Sequence, residues 1–348
     1  MRGNAKVKVM KEIPTIEKSL GHSQRPTGPR FAKGEEWPET KEEEPKISYH
    51  IFYAPHVTAK DFENLKNAFD KADIYVPEGE RWSFRTKDLL NRLSQGEITP
   101  EELAAKEFIN SKSAYFKEYE MIYNSKKPIL FVDLPFSHEL ITTSKRNDEL
   151  GNESLKLFAK GDFEFSFKTM RQHIINEAGY EKKREELIKK NLEEEVKKFI
   201  KTDSKLKDKS DVKVLLSLGA VHTGIYHNLK KEKAPVSREF SRQPYIFDSM
   251  GQAIREMMFS RRKKPDKLLL ARALVESKMF VYYINRRISY DSGKLMLTAR
   301  KISSHLNFKD VKNISKELGK DSSRTIMDVL EKRGIEIPKT EEEMDEIH

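Results

Sequence analysis

The sequence predicts an α/β fold: a mostly parallel sheet flanked by helices, with a helical C-terminal extension. Three observations carry this. Val214, Leu215, Leu216 and Leu218 form a short apolar run closed by Gly219, the pattern of a strand buried on both faces of a parallel sheet. Comparable short runs recur over residues 46–230, separated by segments of helical period, as right-handed parallel crossovers require. Beyond residue 247 the strand patterns cease and amphipathic helical stripes take over.

The elements follow in order. Residues 1–45 are polar, hold Pro26, Pro29 and Pro38, and carry the run Lys41-Glu42-Glu43-Glu44; too little apolar surface is available to offset ordering entropy, so a flexible arm is expected. Ile47, Tyr49, Ile51 and Tyr53 alternate along a strand that ends near Ala54, with His56 just beyond it. A helix over 58–72 places Phe62, Leu65, Ala68 and Phe69 on one face, with Thr58 as its N-cap. Residues 73–78 read as a second short strand ending in Glu78, since Pro77 suits a strand end. Helical patterns follow over 87–93 and 101–123, then a third strand over 128–132 that ends at Asp133. The pattern over 163–200 is helical with a break around Gly179, and the strand ending at Gly219 comes next, with His222 in the turn after it. Residues 236–246 read as a further strand or β-arm. Helices are expected over 251–260, 266–288, 294–306, 309–318 and 322–333, and the acidic residues 340–348 as a frayed tail. The domains are therefore an arm over 1–45, an α/β domain over 46–247, a helical extension over 248–338 and the tail from 339.

Composition narrows the function classes. The chain of 348 residues has no cysteine, so neither a disulfide framework nor a thiolate metal site is available and any metal must be held by His, Asp or Glu. The apolar run over 268–284 is interrupted by Arg272, Glu276 and Lys278, so no membrane span is expected. The N-terminus lacks an apolar core of the secretory type, and a cytoplasmic location is expected. Sixty-six Lys and Arg against 56 Asp and Glu leave a net charge of +10, but bases and acids interleave throughout. The densest basic run, Arg261-Arg262-Lys263-Lys264, joins two helical patterns. Nucleic acid is thus only weakly indicated as a partner.

Four strands end near His56, Glu78, Asp133 and His222, and in a parallel sheet these ends lie along the edge where ligands bind. On the helix over 181–200, Ile188, Leu192, Val196 and Phe199 define an apolar face; Arg184, four before Ile188, shares it. Each residue also has an ordinary structural role open to it: a hydrogen-bonded loop histidine, a solvated Glu78, Asp133 as a cap, Arg184 snorkelling from a first turn.

Gly219-Ala220-Val221-His222 resembles the G-x-x-H of the TraB/Tiki group, within the superfamily that also includes erythromycin esterases and ChaN-like proteins. In the same order, Tyr53-Ala54-Pro55-His56 stands at the first G-x-x-H, Glu78 with Arg81 at the glutamate, and Arg184 at the helical arginine, over residues 47–247. Tyr53 departs from the family glycine. The resemblance implies a hydrolase of peptide or ester bonds. His56, Glu78 and His222 would hold a divalent metal (Mn, Co or Zn), Asp133 would be a further ligand or orient a histidine, and Arg184 would stabilise an oxyanion or grip a substrate carboxylate. The superfamily equally admits a haem-type ligand carrier, and the basic helical half admits a nucleic-acid or partner-binding protein.

Overall fold

Period-two burial decides how the sheet is covered. In β1 (Lys46–Tyr53), Tyr49, Ile51 and Tyr53 enter one apolar cluster, while Phe52 enters another on the opposite face. The first strand therefore lies inside a three-layer sandwich rather than on its surface. The computed structural model describes residues 45–54, 59–109, 114–241, 245, 247–260, 264–289, 292–321 and 323–347. The arm expected over 1–45 lies almost wholly outside the described residues, and so does His56.

After β1 come α1 (Ala59–Lys71), β2 (Ile74–Val76), α2 (Phe84–Gln95), α3 (Pro100–Lys106) and α4 (Ala114–Ser125). Next follow α5 (Glu139–Ala159), α6 (Phe163–Thr202), β3 (Asp211–Leu218), a 3₁₀ turn (Ala220–His222), α7 (Thr223–Lys231) and β4 (Val236–Phe240). Six helices close the chain: α8 (Ser249–Phe259), α9 (Lys267–Arg286), α10 (Ser292–Ser304), α11 (Phe308–Lys320), α12 (Ile326–Glu331) and α13 (Glu341–Ile347). The sheet has the order β2-β3-β1-β4 and every pairing is parallel. One face packs on α1, α2 and α4 through Leu65, Phe69, Leu93 and Ile122; the other packs on α6 and α7 through Ile188, Leu192, Ile225 and Leu229. This is the α/β fold with helical extension that the sequence predicts.

Several elements differ in detail. Residues 129–132 are buried as a strand would be, but they join the sheet through a single bridge, Tyr75 to Ile129. The neighbouring β2 spans three residues and Pro77 donates no N–H, so there is no ladder to extend. The helix expected over 101–123 is two helices, α3 and α4. α6 runs unbroken through Gly179: burial of Ala178 and Tyr180 on either side outweighs the ~1 kcal/mol that glycine costs a helix. α5 has no hydrophobic stripe in the sequence because its buried face is partly Ser144, Asn147 and Ser154, set against α6. The tail is the helix α13, fixed by buried Met344 and by Lys294, whose Nζ lies 3.1 Å from Glu341 and 2.8 Å from Asp345.

α6 belongs to two cores. Phe163, Met170, Ile174 and Ala178 pack with Leu270, Leu274 and other side chains of the C-terminal helices, whereas Ile188, Leu192, Val196 and Ile200 pack against the sheet. Between them lies the segment 180–185, whose inward side chains are Tyr180, Glu181, Arg184 and Glu185.

A methyl group at Gly179 would meet nothing within 4 Å. Gly179→Ala is therefore expected to stabilise the protein by about 0.5–1 kcal/mol in denaturant unfolding; a loss of stability would mean that α6 needs the glycine as a hinge.

Candidate functional site

Pro77 ends β2, and Glu78 follows beyond the carboxyl end of the strand. At the end of β3 the chain passes through Gly219 into the 3₁₀ turn that carries His222. Gly219 donates its N–H to Glu78 Oε2, and a Cβ there would sit 3.1 Å from that oxygen. Glycine at this position lets the carboxylate lie directly on the backbone. Gly224 does the same one turn on: its N–H donates to Glu185 Oε1 at 3.2 Å, and a Cβ would fall inside that carboxylate.

His222 is fully buried. Its Nε2 lies 3.3 Å from Glu78 Oε1, and its Nδ1 lies 3.7 Å from Glu181 Oε2 and 3.9 Å from Glu185 Oε1. Neither ring nitrogen makes a well-aligned hydrogen bond. The imidazole is thus surrounded by acceptors yet not locked to one of them. Tyr53, also fully buried, donates its hydroxyl to the His222 carbonyl at 3.2 Å. The side chain that stands where the resembled family has glycine thereby ties the end of β1 to the histidine turn.

Arg184 holds the cluster together from α6. Its Nε donates to Asp133 Oδ1 at 2.9 Å and its Nη2 to Oδ2 at 2.6 Å, the two-pronged geometry that suits guanidinium and carboxylate. Nη2 also reaches Glu78 Oε1 at 3.3 Å, and Nη1 reaches both Glu181 oxygens at 3.3 Å and Glu80 Oε2 at 3.5 Å. Asp133 is fixed further by the Leu134 N–H on Oδ1 at 2.7 Å, while the Trp82 indole donates to its carbonyl at 2.7 Å. Tyr180 donates to Glu80, and Arg81, whose φ of 63° is in the left-handed region, spans to Ser144 at 2.8 Å and Asp148 at 3.0 Å.

Carboxylates outnumber cations here, and burial sharpens the imbalance. Desolvation raises Glu185 to about 7, against the opposing pull of His222, and it raises Glu181 as well. Burial and Arg184 both disfavour imidazolium, yet Glu181 and Glu78 outweigh them and His222 is raised. On the same helix, burial together with the Glu181 charge raises Glu177 to about 7.

Of the residues singled out from sequence, Glu78, Asp133, Arg184 and His222 meet in this cluster; His56 lies outside the described residues. Both Asp133 oxygens are taken up by Arg184. Among the described residues, no three His, Asp or Glu side chains converge as the shell of a metal would. The donor chemistry nevertheless suits a borderline divalent cation at one point, where Nε2 of His222, without an aligned hydrogen bond, faces the partly exposed Glu78. Elsewhere, His227 is exposed, His138 caps α5 by accepting from the Leu140 N–H, and His173 bonds the Asn147 carbonyl through Nδ1. Sequence reasoning missed Glu181 and Glu185, although three residues before Arg184 and one after it are positions on the same inward face. Comparison of the chain with protein-family models, with curated proteins and with solved structures found no match.

The raised groups share one sign. A carboxyl whose folded value exceeds its ordinary 4.5 contributes stability fully below pH 4.5 and loses it as the pH rises through the folded value, and a raised histidine behaves likewise above 6.5. Thermal stability is expected to decline between pH 5 and 8, and Glu177→Gln to flatten that slope, gaining on the order of 1 kcal/mol at pH 8. A melting temperature that is level over this range, or a slope unchanged in the variant, would contradict the reading. Arg184→Met, which strands Asp133, is expected to lose roughly 3–5 kcal/mol in equilibrium unfolding.

Proposed function

We propose that the chain is a hydrolase of the TraB/Tiki kind, cleaving a peptide or ester bond at the carboxyl edge of its sheet. The observation that carries this reading is the fully buried His222 with two orphaned ring nitrogens, set against Glu78, the member of the pair that reaches solvent. A buried imidazole without an aligned partner is costly, and such groups concentrate where a ligand or a moving proton completes them.

In this reading Glu78 is the catalytic residue. Its carboxylate is held from two sides, by the Gly219 N–H and by Arg184, so it is aimed before substrate arrives. It accepts the proton of the attacking water and returns it to the leaving group. His222 sits behind it and answers each change in its charge, because the imidazole gains or loses a proton more easily than a carboxylate pair tolerates added charge. Arg184 and Asp133 act as positioning residues: the guanidinium donors are spent on Asp133, Glu181 and Glu78 and hold these groups in place. A divalent cation (Mn, Co or Zn) would be held by His222 and Glu78 with His56, and would supply a water of lowered pKa and a polarised carbonyl.

Metal content of protein purified without chelator, measured beside His222→Ala and Glu78→Gln, tests this together with turnover of peptide and ester panels in added manganese, cobalt or zinc. Expected are near-stoichiometric metal in the wild type, its loss in both variants, and a fall in turnover of ~10²-fold or more in Glu78→Gln. No metal uptake on titration and no turnover of any panel member would overturn the proposal. A Soret band on haem addition without turnover would instead favour a carrier.

A further inference from the structure

The edge of the sheet opposite β2 carries a second chemical arrangement, on β1 and β4. On β1 and β4, His50 and Ser237 are in-register partners of a parallel pair, so their side chains emerge side by side, and Glu239, two residues on from Ser237, emerges on the same face. Ser237 Oγ lies 2.7 Å from His50 Nδ1, and Glu239 Oε2 lies 3.5 Å from His50 Nε2. A hydroxyl on one ring nitrogen and a carboxylate on the other is the relation of nucleophile, base and orienting acid, with the two nitrogens exchanging their usual roles.

The trio is not a packed core contact. It lines a groove of about 690 Å³, within the range of small-molecule sites, that is lined also by Asn67 and Lys71 of α1 and by Lys213 of β3. Ser237 is exposed, and about a third of the His50 side chain and half of the Glu239 side chain are open to solvent (32% and 50%). We propose that Ser237, His50 and Glu239 form an esterase site, and that Lys71 and Lys213 select carboxylic esters bearing an anionic group.

The step balances within the trio. Ser237 Oγ attacks the acyl carbon as its proton passes to His50 Nδ1. The bond from acyl carbon to alkoxy oxygen then breaks, and the same proton goes to the departing alcohol. Water, deprotonated in turn by His50, releases the acid and restores the serine, so ester and water give acid and alcohol. Glu239 is a positioning residue: it accepts from Nε2–H, which leaves Nδ1 as the acceptor for serine. Burial holds the His50 imidazole below its ordinary value against the pull of Glu239, which keeps the ring a neutral base.

The test uses the full chain in EDTA, so that a cation at the carboxyl edge contributes nothing and the two proposals fail separately. A fluorophosphonate probe is expected to label Ser237, as mapped by mass spectrometry, and His50→Gln to slow labelling by ~100-fold or more. Ser237→Ala, an exposed change on an edge strand, should abolish labelling and lower hydrolysis of 4-nitrophenyl hemisuccinate at least as far. Glu239→Gln should lower kcat about tenfold or more with KM unchanged, a split that loss of strand packing would not produce. A higher kcat/KM for the hemisuccinate than for 4-nitrophenyl acetate, abolished in Lys71→Ala/Lys213→Ala, supports the anionic preference; equal values overturn it. No label on Ser237, or labelling indifferent to His50, overturns the site.

Discussion

The bidentate pair of Arg184 and Asp133 is the constraint on which the arrangement of this protein turns. The inward face of α6 is mainly apolar from Phe163 to Ala178, carries Glu181, Arg184 and Glu185 over 180–185, and is apolar again from Ile188 to Ile200. A guanidinium at 3% exposure needs carboxylate partners, and the best one comes from the segment that ends at Asp133 on the far side of β2. A slip of α6 by one residue would rotate its faces by about 100° and remove Arg184 from both Asp133 and Glu78. The pair therefore fixes the register of the one helix shared by the two cores, and with it the position of the sheet relative to the C-terminal helices.

Such a pair adds little net stability, because desolvating two charges cancels most of their attraction. Its effect is instead on the neighbours. Once Arg184 is committed to Asp133, what is left of its charge is divided among Glu78, Glu80 and Glu181, and it cannot neutralise them all. Burial raises Glu181 and Glu185, Arg184 offsets this only in part, and the remaining negative charge of Glu181 and Glu78 raises His222 against its own desolvation. Structural scaffolding and proton-holding groups are thus one network, and a change at Asp133 would be felt at His222 without any contact between them.

How much of this is legible in the sequence follows from what each pattern encodes. Apolar runs and period-two alternation mark β1 and β3 correctly, since burial on both faces leaves few alternatives for Val214 to Leu218. The strand-end rule brings Glu78, Asp133 and His222 to one edge for the same reason. Burial does not imply a ladder, though, so residues 129–132 look like a strand and form one bridge. α5 is hidden because its contact with α6 uses Ser144, Asn147 and Ser154, which hydropathy reads as surface. Glu181 and Glu185 fall on the face that marked Arg184, but carboxylates at helical spacing are so common on exposed faces that only a buried arginine between them gives them meaning. Gly179 is a propensity argument overridden by tertiary packing.

Tyr53 ties the end of β1 to the site. A glycine there would leave the backbone open to a ligand; Tyr53 instead fills the space under the His222 turn, packs its ring 5.1 Å from Phe240, and donates to the His222 carbonyl. The opening toward Glu78 is bounded by the segment 79–82, where Arg81 accepts a left-handed backbone and Trp82 is bound to the Asp133 carbonyl. A non-glycine residue persists at positive φ only where its surroundings over-determine it, and Arg81 is held by Glu80, Ser144, Asp148 and the Leu134 carbonyl. The strain sits at the rim beside the partly exposed member of the His222–Glu78 pair. Among the described residues, Glu78 is thus flanked by a rim that is over-determined by its contacts with α5 and with the segment after Asp133.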